Sequence, residues 1–287
     1  PLPIAFRDKA ERAMKKADAS EAGGQEVRVL SLKGLINPVT ERYVVREITR
    51  GEREGAECVV LEIDTPGGLV DSMMNIVTKM LNSKVPVVSY VHPTGAKAGS
   101  AGTFVVMAAH VAAMAPGTSI GAAHPVVLGP EGGVQSLPKE IRQKEVNFLS
   151  AYVRAVAKRR GRNVKWAEKA VRSSATLTDD EALKAGVIDL VARDLSELLE
   201  RIDGRKVVLD GEEVVLHTKG AVVRRIPMSP WERFLLVISN PMVAYLLLMV
   251  AFYGIIYELA NPGAIFPGVI GVIALILALS LIHISEP

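Results

Sequence analysis

Short apolar runs, separated by stretches long enough for helices, constrain the fold of this chain more than any other feature. The runs are VRVLSLKG, AECVVLEID, VPVVSYV and VAAMAP, all within the first 116 residues. In most of them apolar residues follow one another without polar alternation, as in strands that are covered on both faces. The sequence therefore predicts an α/β domain with a parallel sheet and flanking helices.

The segments between these runs predict helices. The stretch NPVTERYVVREITRGEREG begins at Asn37-Pro38, and proline is favoured in the first turn of a helix. LVDSMMNIVTKMLNS predicts an amphipathic helix, and a long helix is predicted from about Lys139 to Arg160. Further along, VIDLV predicts a short strand within a helical region. KVVLDGEEVVLHT predicts a hairpin that turns at Asp210-Gly211.

The chain divides into three parts by composition. Residues 1–25 are charged and rich in small residues, which predicts a linker, and we expect a signal peptide or anchor to precede it. Residues 26–228 form the predicted globular domain. Residues 229–287 contain two apolar runs, MVAYLLLMVAFYGIIYELA and GAIFPGVIGVIALILALSLI, which predict two transmembrane helices rather than a buried hairpin of core helices. We expect Leu279–Pro287, LSLIHISEP, to be a translated sequencing-adapter end.

Charge and cysteine content exclude several classes of function. The net charge is +3 and the basic residues are scattered or lie at the membrane edge, which argues against nucleic-acid binding. Cys58 is the only cysteine, so the chain has no internal disulfide and no cysteine-based metal site. We expect neither a metal nor a cofactor.

A serine surrounded by small residues follows the third apolar run. Ser100 lies in GSAG, where a strand is predicted to turn into a helix, and the neighbouring glycines permit a tight turn. The helix N-terminus beyond it presents unpaired N–H groups, and Gly67-Gly68 forms a second loop that could point at the same place. These features are typical of a nucleophile with an oxyanion site. A purely structural turn is the alternative.

The base that would activate such a serine is less clear from the residues alone. His92, His110 and His124 lie near Ser100 in the sequence, and of these only His124 is retained, as a wall residue of the cleft. A lysine made neutral by burial is the other choice.

Three lysines of the long predicted helix are candidates for that base. Lys144 is favoured over Lys139 and Lys158, because helical spacing places it beside Ile141 and Phe148 at the edge of an apolar face. A solvated lysine on a charged helix is the alternative.

Four motifs in order, DTPGG, GAKAGSAGTF, AMAPGTSIGAAHP and LTDDEALKAGVID, resemble the ClpP/crotonase superfamily. Within it the chain is most similar to NfeD-type membrane-bound serine proteases, from about Val27 onward. The resemblance implies a Ser–Lys dyad. It implies Ser100 as the nucleophile and Lys144 as the base, counted back from Gly161-Arg162-Asn163, with Lys139 as an alternative.

The resemblance also implies an oxyanion hole, a substrate and an assembly. The backbone N–H groups of Gly68 and Ala101 match the oxyanion hole. The implied activity is an endopeptidase for hydrophobic segments, with a stomatin- or prohibitin-like membrane protein as substrate or partner. A homodimer or larger assembly, contact with membrane lipid, and a protease domain outside the cytoplasm are implied as well.

The charges beside the first apolar run point to the opposite topology. Arg224, Arg225 and Arg233 precede that run, and the loop between the two runs has no lysine or arginine. The positive-inside rule would then place the globular domain in the cytoplasm. We nevertheless expect the topology that the resemblance implies, with the globular domain outside the cytoplasm.

Two other functions compete with the protease. A crotonase-like acyl-CoA enzyme shares the fold and an oxyanion hole made of two N–H groups, but it requires neither the serine nor the membrane helices. A non-catalytic membrane scaffold for a stomatin-like partner would leave Ser100 and Lys144 without a chemical role.

Overall fold

The structure is a computed structural model. The charged linker predicted over residues 1–25 and most of the polar loop predicted over Pro130–Pro138 lie outside the residues that it describes. The described residues fall into two compact units that divide between Pro227 and Met228. The described ranges are 25–128, 134–135, 138–238, 241–261 and 265–285.

The first unit alternates strands and helices, as the sequence predicts. In chain order, β1 to β13 are Glu26–Lys33, Cys58–Asp64, Val87–Val91, Lys97–Gly99, Val111–Met114, Ser119–Gly121, Val127–Leu128, Val134–Gln135, Thr176–Thr178, Leu190–Val191, Lys206–Leu209, Glu212–Val215 and Val222–Arg225. Helices α1 to α7 are Pro38–Glu54, Val70–Leu81, Ala101–Ala108, Lys139–Arg159, Val164–Ser173, Asp179–Lys184 and Leu195–Ile202.

The main sheet has six strands in the order β10-β5-β3-β2-β1-β13, and every pair in it is parallel. The predicted parallel sheet is thereby confirmed. Consecutive residues of β2 and β3 are buried, including Val59, Val60 and Val88, so helices cover both faces of the sheet. The edge strand β13 was not predicted, because its four residues, VVRR, are exposed and show no buried pattern.

Two local features explain where α1 begins and ends. The Asn37 side chain accepts hydrogen bonds from the N–H groups of Val39 and Thr40 at 3.0 Å, and Thr40 Oγ1 accepts the Asn37 N–H at 2.8 Å. This reciprocal cap supplies partners for N–H groups that the helix itself leaves unpaired. At the other end Gly55 adopts a φ of 71°, which glycine tolerates without steric strain.

Three smaller sheets complete the described part of the first unit, among them the antiparallel pair of β7 and β8. β4, β6 and β9 form one of them, with β6 parallel to β4 and antiparallel to β9. β11 and β12 form the predicted hairpin, with Asp210 and Gly211 both at positive φ in the turn. The β4-β6-β9 sheet positions the predicted nucleophile, because β4 ends directly before Ser100.

The second unit contains helices α8, Pro230–Ile238, α9, Pro241–Ala260, and α10, Ile265–Ser285. α9 and α10 pack closely where glycines face the other helix: a Cβ on Gly254 would lie 2.4 Å from the Pro267 carbonyl oxygen. The sequence predicts that these two helices cross a membrane. Within the described ranges, no helix combines the length and the apolar character that a membrane crossing needs.

Candidate active site

Ser100 occupies the turn between β4 and α3 in a backbone conformation that L-residues rarely adopt. Its φ is 49° and its ψ is −116°. The Ser100 N–H donates to the Gly121 carbonyl oxygen at 3.0 Å, and the Ser100 carbonyl accepts the Thr103 N–H at 3.0 Å. Such a conformation costs about 1–3 kcal/mol and persists only where neighbouring bonds fix it, typically at functional sites. Ser100 is half-buried, at the kind of strained strand-to-helix turn that exposes the hydroxyl of a nucleophile in other hydrolases.

The Gly67-Gly68 turn lies directly against Ser100. A Cβ on Gly67 would be 2.6 Å from Ser100 Cβ, 3.1 Å from Ser100 Oγ and 3.4 Å from the Ala101 nitrogen. Gly67 also has a φ of +124°, which strains any other residue. Only glycine therefore allows this loop to approach the serine so closely.

Gly68 is held from its other side by Ile36. The Ile36 N–H donates to the Gly67 carbonyl at 2.9 Å, and the Leu69 N–H donates to the Ile36 carbonyl at 2.8 Å. A Cβ on Gly68 would lie 2.0 Å from the Ile36 carbonyl oxygen. The backbone of the loop thus runs between Ile36 and Ser100, and no side chain fits at either glycine.

Two backbone N–H groups beside Ser100 have no hydrogen-bond acceptor among the described residues. One belongs to Gly68, which is exposed, and the other to Ala101, the first residue of α3. The first N–H groups of a helix have no partner within the helix and carry the positive end of its dipole. Donors of this kind stabilise an oxyanion that develops during acyl transfer. The structure therefore places Ser100 and Ala101 against the Gly67-Gly68 turn.

Lys144 does not join this group in the described part of the chain. It lies on α4 with an exposed side chain, and no hydrogen bond connects it to Ser100 among the described residues. The apolar face assigned to it was wrong, because Ile141 and Phe148 are each 52% exposed. The face of α4 that packs on the first unit carries Val146, Leu149, Ser150, Val153, Val156 and Ala157.

The first turns of α4 carry two of the three lysines that were candidates for the base. Lys139 and Lys144 line a surface depression of about 580 Å³ together with Glu140, Gln143 and Asn147. Lys158, the third lysine considered, is exposed near the other end of the helix.

An aromatic contact ties α4 to the helix that follows the serine. The Tyr152 ring stacks on Phe104 of α3, with 6.2 Å between the ring centroids, and on Phe148 at 6.4 Å. This contact holds α4 about two turns beyond Lys144 and leaves the lysine-bearing turns exposed.

None of the three histidines near Ser100 in the sequence forms a hydrogen bond with it among the described residues. His110 follows α3, at the end of that helix opposite Ser100. Its Nδ1 accepts the Val87 N–H at 3.1 Å, and burial, reinforced by the charge of Arg160, lowers the pKa of His110 to about 3. His92 stacks on Tyr90 with centroids 4.9 Å apart, and His124 Nδ1 lies 2.9 Å from the Val171 carbonyl.

Two residues that the sequence analysis did not single out fix the backbone at the serine. Thr103 Oγ1 lies 3.0 Å from the carbonyl oxygens of both Ala98 and Gly121. The position of Thr103, one turn after a predicted nucleophile, could have indicated this role. The role of Gly121 could not be predicted from local sequence, because only the pairing of β4 with β6 brings Gly121 next to Ser100.

The described residues offer no obvious metal centre. Within them, no three His, Cys, Asp or Glu side chains cluster closely enough to hold a metal ion.

Comparison with known proteins gives matches along most of the chain. The family model "NfeD1b, N-terminal domain" matches residues 26–208, and "NfeD integral membrane domain" matches residues 242–286. The membrane-bound protease PH1510 of Pyrococcus horikoshii is 40% identical over 256 residues, which cover 88% of this chain and 57% of that protein. The chain thus spans little more than half the length of this relative.

Solved structures with the same fold carry substitutions of a lysine and of a serine. The 1510-N membrane-bound stomatin-specific protease, as a lysine-to-alanine mutant with a substrate peptide, matches with a TM-score of 0.70 and 40% identity over 75% of this chain and 98% of that one. A serine-to-alanine mutant of that protease matches with a TM-score of 0.67 and 40% identity, over 72% of this chain and all of that one. The matched family models and this identity place the chain firmly: it belongs to the NfeD family.

Proposed function

We propose that this chain is a membrane-associated serine endopeptidase of the ClpP/crotonase superfamily, with Ser100 as its nucleophile. The observation that carries the proposal is a strained serine against the Gly67-Gly68 turn and Ala101, where the N–H groups of Gly68 and Ala101 have no acceptor among the described residues. Acyl transfer needs a nucleophile beside oxyanion donors, whereas a structural turn needs neither. The relatives with the same fold are named proteases.

In the proposed reaction, a base removes the proton of the Ser100 hydroxyl as Oγ attacks the carbonyl carbon of a peptide bond. The negative charge that develops on the carbonyl oxygen is stabilised by the N–H groups of Gly68 and Ala101. The protonated base then donates its proton to the leaving amine, and an acyl-enzyme remains on Ser100. Water, deprotonated by the same base, hydrolyses this ester and restores the serine.

We assign the base to Lys144. In the solved relatives the replaced lysine follows the replaced serine by 41 positions. Here Lys144 follows Ser100 by 44 positions and Lys139 follows it by 39, so either lysine requires a change in the length of the intervening loop. That loop includes residues 129–133 and 136–137, which lie outside the described part of the chain.

The exposure of Lys144 adds a condition to this assignment. A lysine becomes an effective base at neutral pH when its surroundings exclude water. We therefore propose that substrate or a second copy of the chain covers the first turns of α4 in the active state. The exposed side chains of Ile141 and Phe148 on this surface suit such a contact, and a homodimer or larger assembly is part of the proposal.

The proposed substrate is a hydrophobic segment of a stomatin- or prohibitin-like membrane protein. The solved relatives are named as specific for stomatin. Leu69, directly after Gly68, is 45% exposed, and Leu35, directly before the Ile36 that pairs with Gly68, is 47% exposed. Two exposed leucines on either side of an oxyanion donor favour apolar substrate side chains.

The match to the NfeD integral membrane domain supports attachment to a membrane through residues 242–286. That the chain crosses the bilayer more than once, with the protease domain outside the cytoplasm, stays a prediction. Reporter fusions placed after Pro227 and after Asn261 would test it. We expect the fusion after Pro227 to be active only for reporters that work outside the cytoplasm.

The decisive experiment uses the whole chain in detergent micelles and quenched fluorescent peptides that tile the apolar segments of a stomatin homologue. Wild type, Ser100→Ala and Lys144→Ala are compared, and a fluorophosphonate probe reports nucleophilic serines independently of substrate choice. Cleavage and labelling by wild type, with both lost in Ser100→Ala, are expected. Wild type that is folded but neither cleaves nor labels would contradict the proposal.

A non-catalytic scaffold is the second candidate, favoured by one observation: within the described ranges, no base contacts Ser100 Oγ. A scaffold would bind a stomatin-like protein equally well as wild type and as Ser100→Ala, and neither form would cleave it. If the chain were instead a crotonase-like acyl-CoA enzyme, it would turn over acyl-CoA thioesters, and Ser100→Ala would not change the rate.

A further inference from the structure

We propose that Thr65 is a positioning residue. It holds the loop of Gly67 and Gly68, which carries the proposed oxyanion donor, in place against the proposed nucleophile Ser100. This inference rests on the proposed function, and it concerns a residue that neither touches the substrate nor takes part in the chemistry. Thr65 is fully buried at the end of β2, in the turn that leads to Gly67 and Gly68.

The hydroxyl of Thr65 forms hydrogen bonds with both backbone polar groups of Gly67. Thr65 Oγ1 accepts the Gly67 N–H at 3.0 Å and lies 3.1 Å from the Gly67 carbonyl oxygen, to which it donates. The Gly67 carbonyl also accepts the Ile36 N–H at 2.9 Å. The loop is therefore fixed from outside by Ile36 and from inside by Thr65. The next N–H group along the chain is that of Gly68, the proposed oxyanion donor.

The backbone of Thr65 binds the strand that ends at the nucleophile. The Thr65 N–H donates to the Lys97 carbonyl at 2.8 Å, and the Gly99 N–H donates to the Thr65 carbonyl at 2.9 Å. Thr65 thus pairs with Ala98 as an isolated parallel bridge, just before Ser100. Because one residue joins both chain segments, a shift of Thr65 changes the distance between the two halves of the site.

The methyl group of Thr65 meets the helix that carries the second oxyanion donor. A Cβ on Gly102 would lie 2.5 Å from Thr65 Cγ2, so the methyl group packs over the backbone of the first turn of α3. Thr65 therefore contacts the loop with Gly68, the strand before Ser100 and the helix that begins at Ala101. Valine keeps the shape and the methyl contact but loses the hydroxyl, and serine keeps the hydroxyl but loses the methyl.

These contacts predict a specific kinetic defect. Without the hydroxyl, the Gly67 N–H loses its acceptor and the loop loses its inner support, so the Gly68 N–H no longer points reliably at the oxyanion. Loss of a whole oxyanion donor lowers kcat by about 10²–10³-fold, and a displacement of about 1 Å can cost about 10²-fold. We expect Thr65→Val to lower kcat by about 10–100-fold. KM should stay within about threefold, because the ground-state carbonyl binds the hole weakly.

The test compares wild type, Thr65→Val and Thr65→Ser as whole chains in detergent, with the peptide that wild type cleaves best. A peptide aldehyde is the second probe, because its adduct with Ser100 places an oxyanion in the hole. In Thr65→Val we expect the inhibition constant of the aldehyde to rise about as much as kcat falls. Thr65→Ser should restore both values to within about threefold of wild type.

A matched control separates positioning from stability. Thr218 is also buried, and its hydroxyl donates to the Leu199 carbonyl at 2.6 Å. Thr218→Val should lower the melting temperature without changing kcat per folded enzyme. If Thr65→Val does not fold, Thr65→Ala, which also lacks the hydroxyl, takes its place.

Two results would overturn the inference while the proposed function stands: undiminished kcat and aldehyde affinity in the variants without the hydroxyl, or an equal loss in Thr65→Ser. A wild type that neither cleaves nor binds the aldehyde would contradict the proposed function itself.

Discussion

The N–H of Ser100 donates to the carbonyl oxygen of Gly121 at 3.0 Å, which fixes the proposed nucleophile to the neighbouring strand β6. This bond occupies the serine's own N–H, whereas those of Ala101 and Gly68, the proposed oxyanion donors, have no acceptor among the described residues. Gly121 in turn has a φ of +134°, and a Cβ there would lie 2.2 Å from the Ala175 carbonyl oxygen. The conformation of Ser100 therefore depends on a glycine that is distant in sequence and is itself enclosed by backbone.

Gly68→Ala should lower kcat by at least about 100-fold. The new Cβ would lie 2.0 Å from the Ile36 carbonyl oxygen, which is backbone and cannot rotate away, so the loop with the proposed oxyanion donor must move. Gly220→Ala is the matched control. It has a φ of +74° but open space around it, so we expect about 1 kcal/mol of strain and unchanged kcat. Equal kcat in the two variants would contradict a role for Gly68 in the site.

Lys144→Ala should abolish cleavage, whereas Lys139→Ala should leave it largely intact. Both lysines lie on the exposed first turns of α4, so the two substitutions are matched in their expected effect on stability. The rate of wild type should rise with pH into the alkaline range, because only neutral lysine accepts a proton. Initial rates from pH 6 to 10 would measure this. A flat or acid-shifted profile, or the reverse order of the two variants, would refute Lys144 as the base.

The strands and helices of the first unit are more completely predictable from the sequence than the candidate site is. Strands such as Cys58–Asp64 and Val87–Val91 are buried on both faces, so their apolar runs are visible in the sequence without any partner. The edge strand Val222–Arg225 was missed because it is exposed and therefore has no apolar run to reveal it. Its place in the sheet depends on pairing with β1, which no local pattern reveals.

In the candidate site, too, some features are predictable from local sequence and others depend on tertiary contacts. Ser100 and Gly68 lie in short turns between predicted elements, and glycine at close approaches leaves a signature in the sequence. The predicted surroundings of Lys144 were wrong, because Ile141 and Phe148, taken as the apolar face beside it, are half exposed. A periodic pattern identifies an apolar face but not which of two faces packs on the body of the unit. Tertiary contacts, here Phe104 on Tyr152, decide that.

Asp189→Ala should destabilise the first unit by about 3–5 kcal/mol. Asp189 Oδ2 lies 2.9 Å from the Arg162 guanidinium, whose side chain is only 3% exposed, and removing the carboxylate leaves a buried charge unpaired. The same carboxylate accepts a hydrogen bond from Arg205, but that side chain is 36% exposed. Arg205→Ala should therefore cost no more than about 1 kcal/mol. Urea unfolding followed by circular dichroism would measure both, and equal losses would contradict the argument from burial.

His110 predicts how the stability of the first unit depends on pH. Burial lowers the pKa of His110 in the folded chain to about 3, with help from the positive charge of Arg160, whereas in the unfolded chain a histidine has a pKa of about 6.5. Between about pH 6.5 and pH 3, His110 therefore binds a proton in the unfolded chain but not in the folded chain. This contribution to stability is fully present above pH 6.5 and is lost progressively as the pH falls toward 3.

Between pH 7 and pH 5 the loss from this one group should be about 2 kcal/mol, since each pH unit below 6.5 contributes about 1.4 kcal/mol. His110→Asn is the matched variant, because its amide oxygen can accept the Val87 N–H that His110 Nδ1 accepts at 3.1 Å, and it does not titrate. Urea unfolding at pH 7 and pH 5 should show wild type losing about 2 kcal/mol more than the variant. Equal losses would mean that His110 titrates normally, and that its ring is accessible to water in the folded chain.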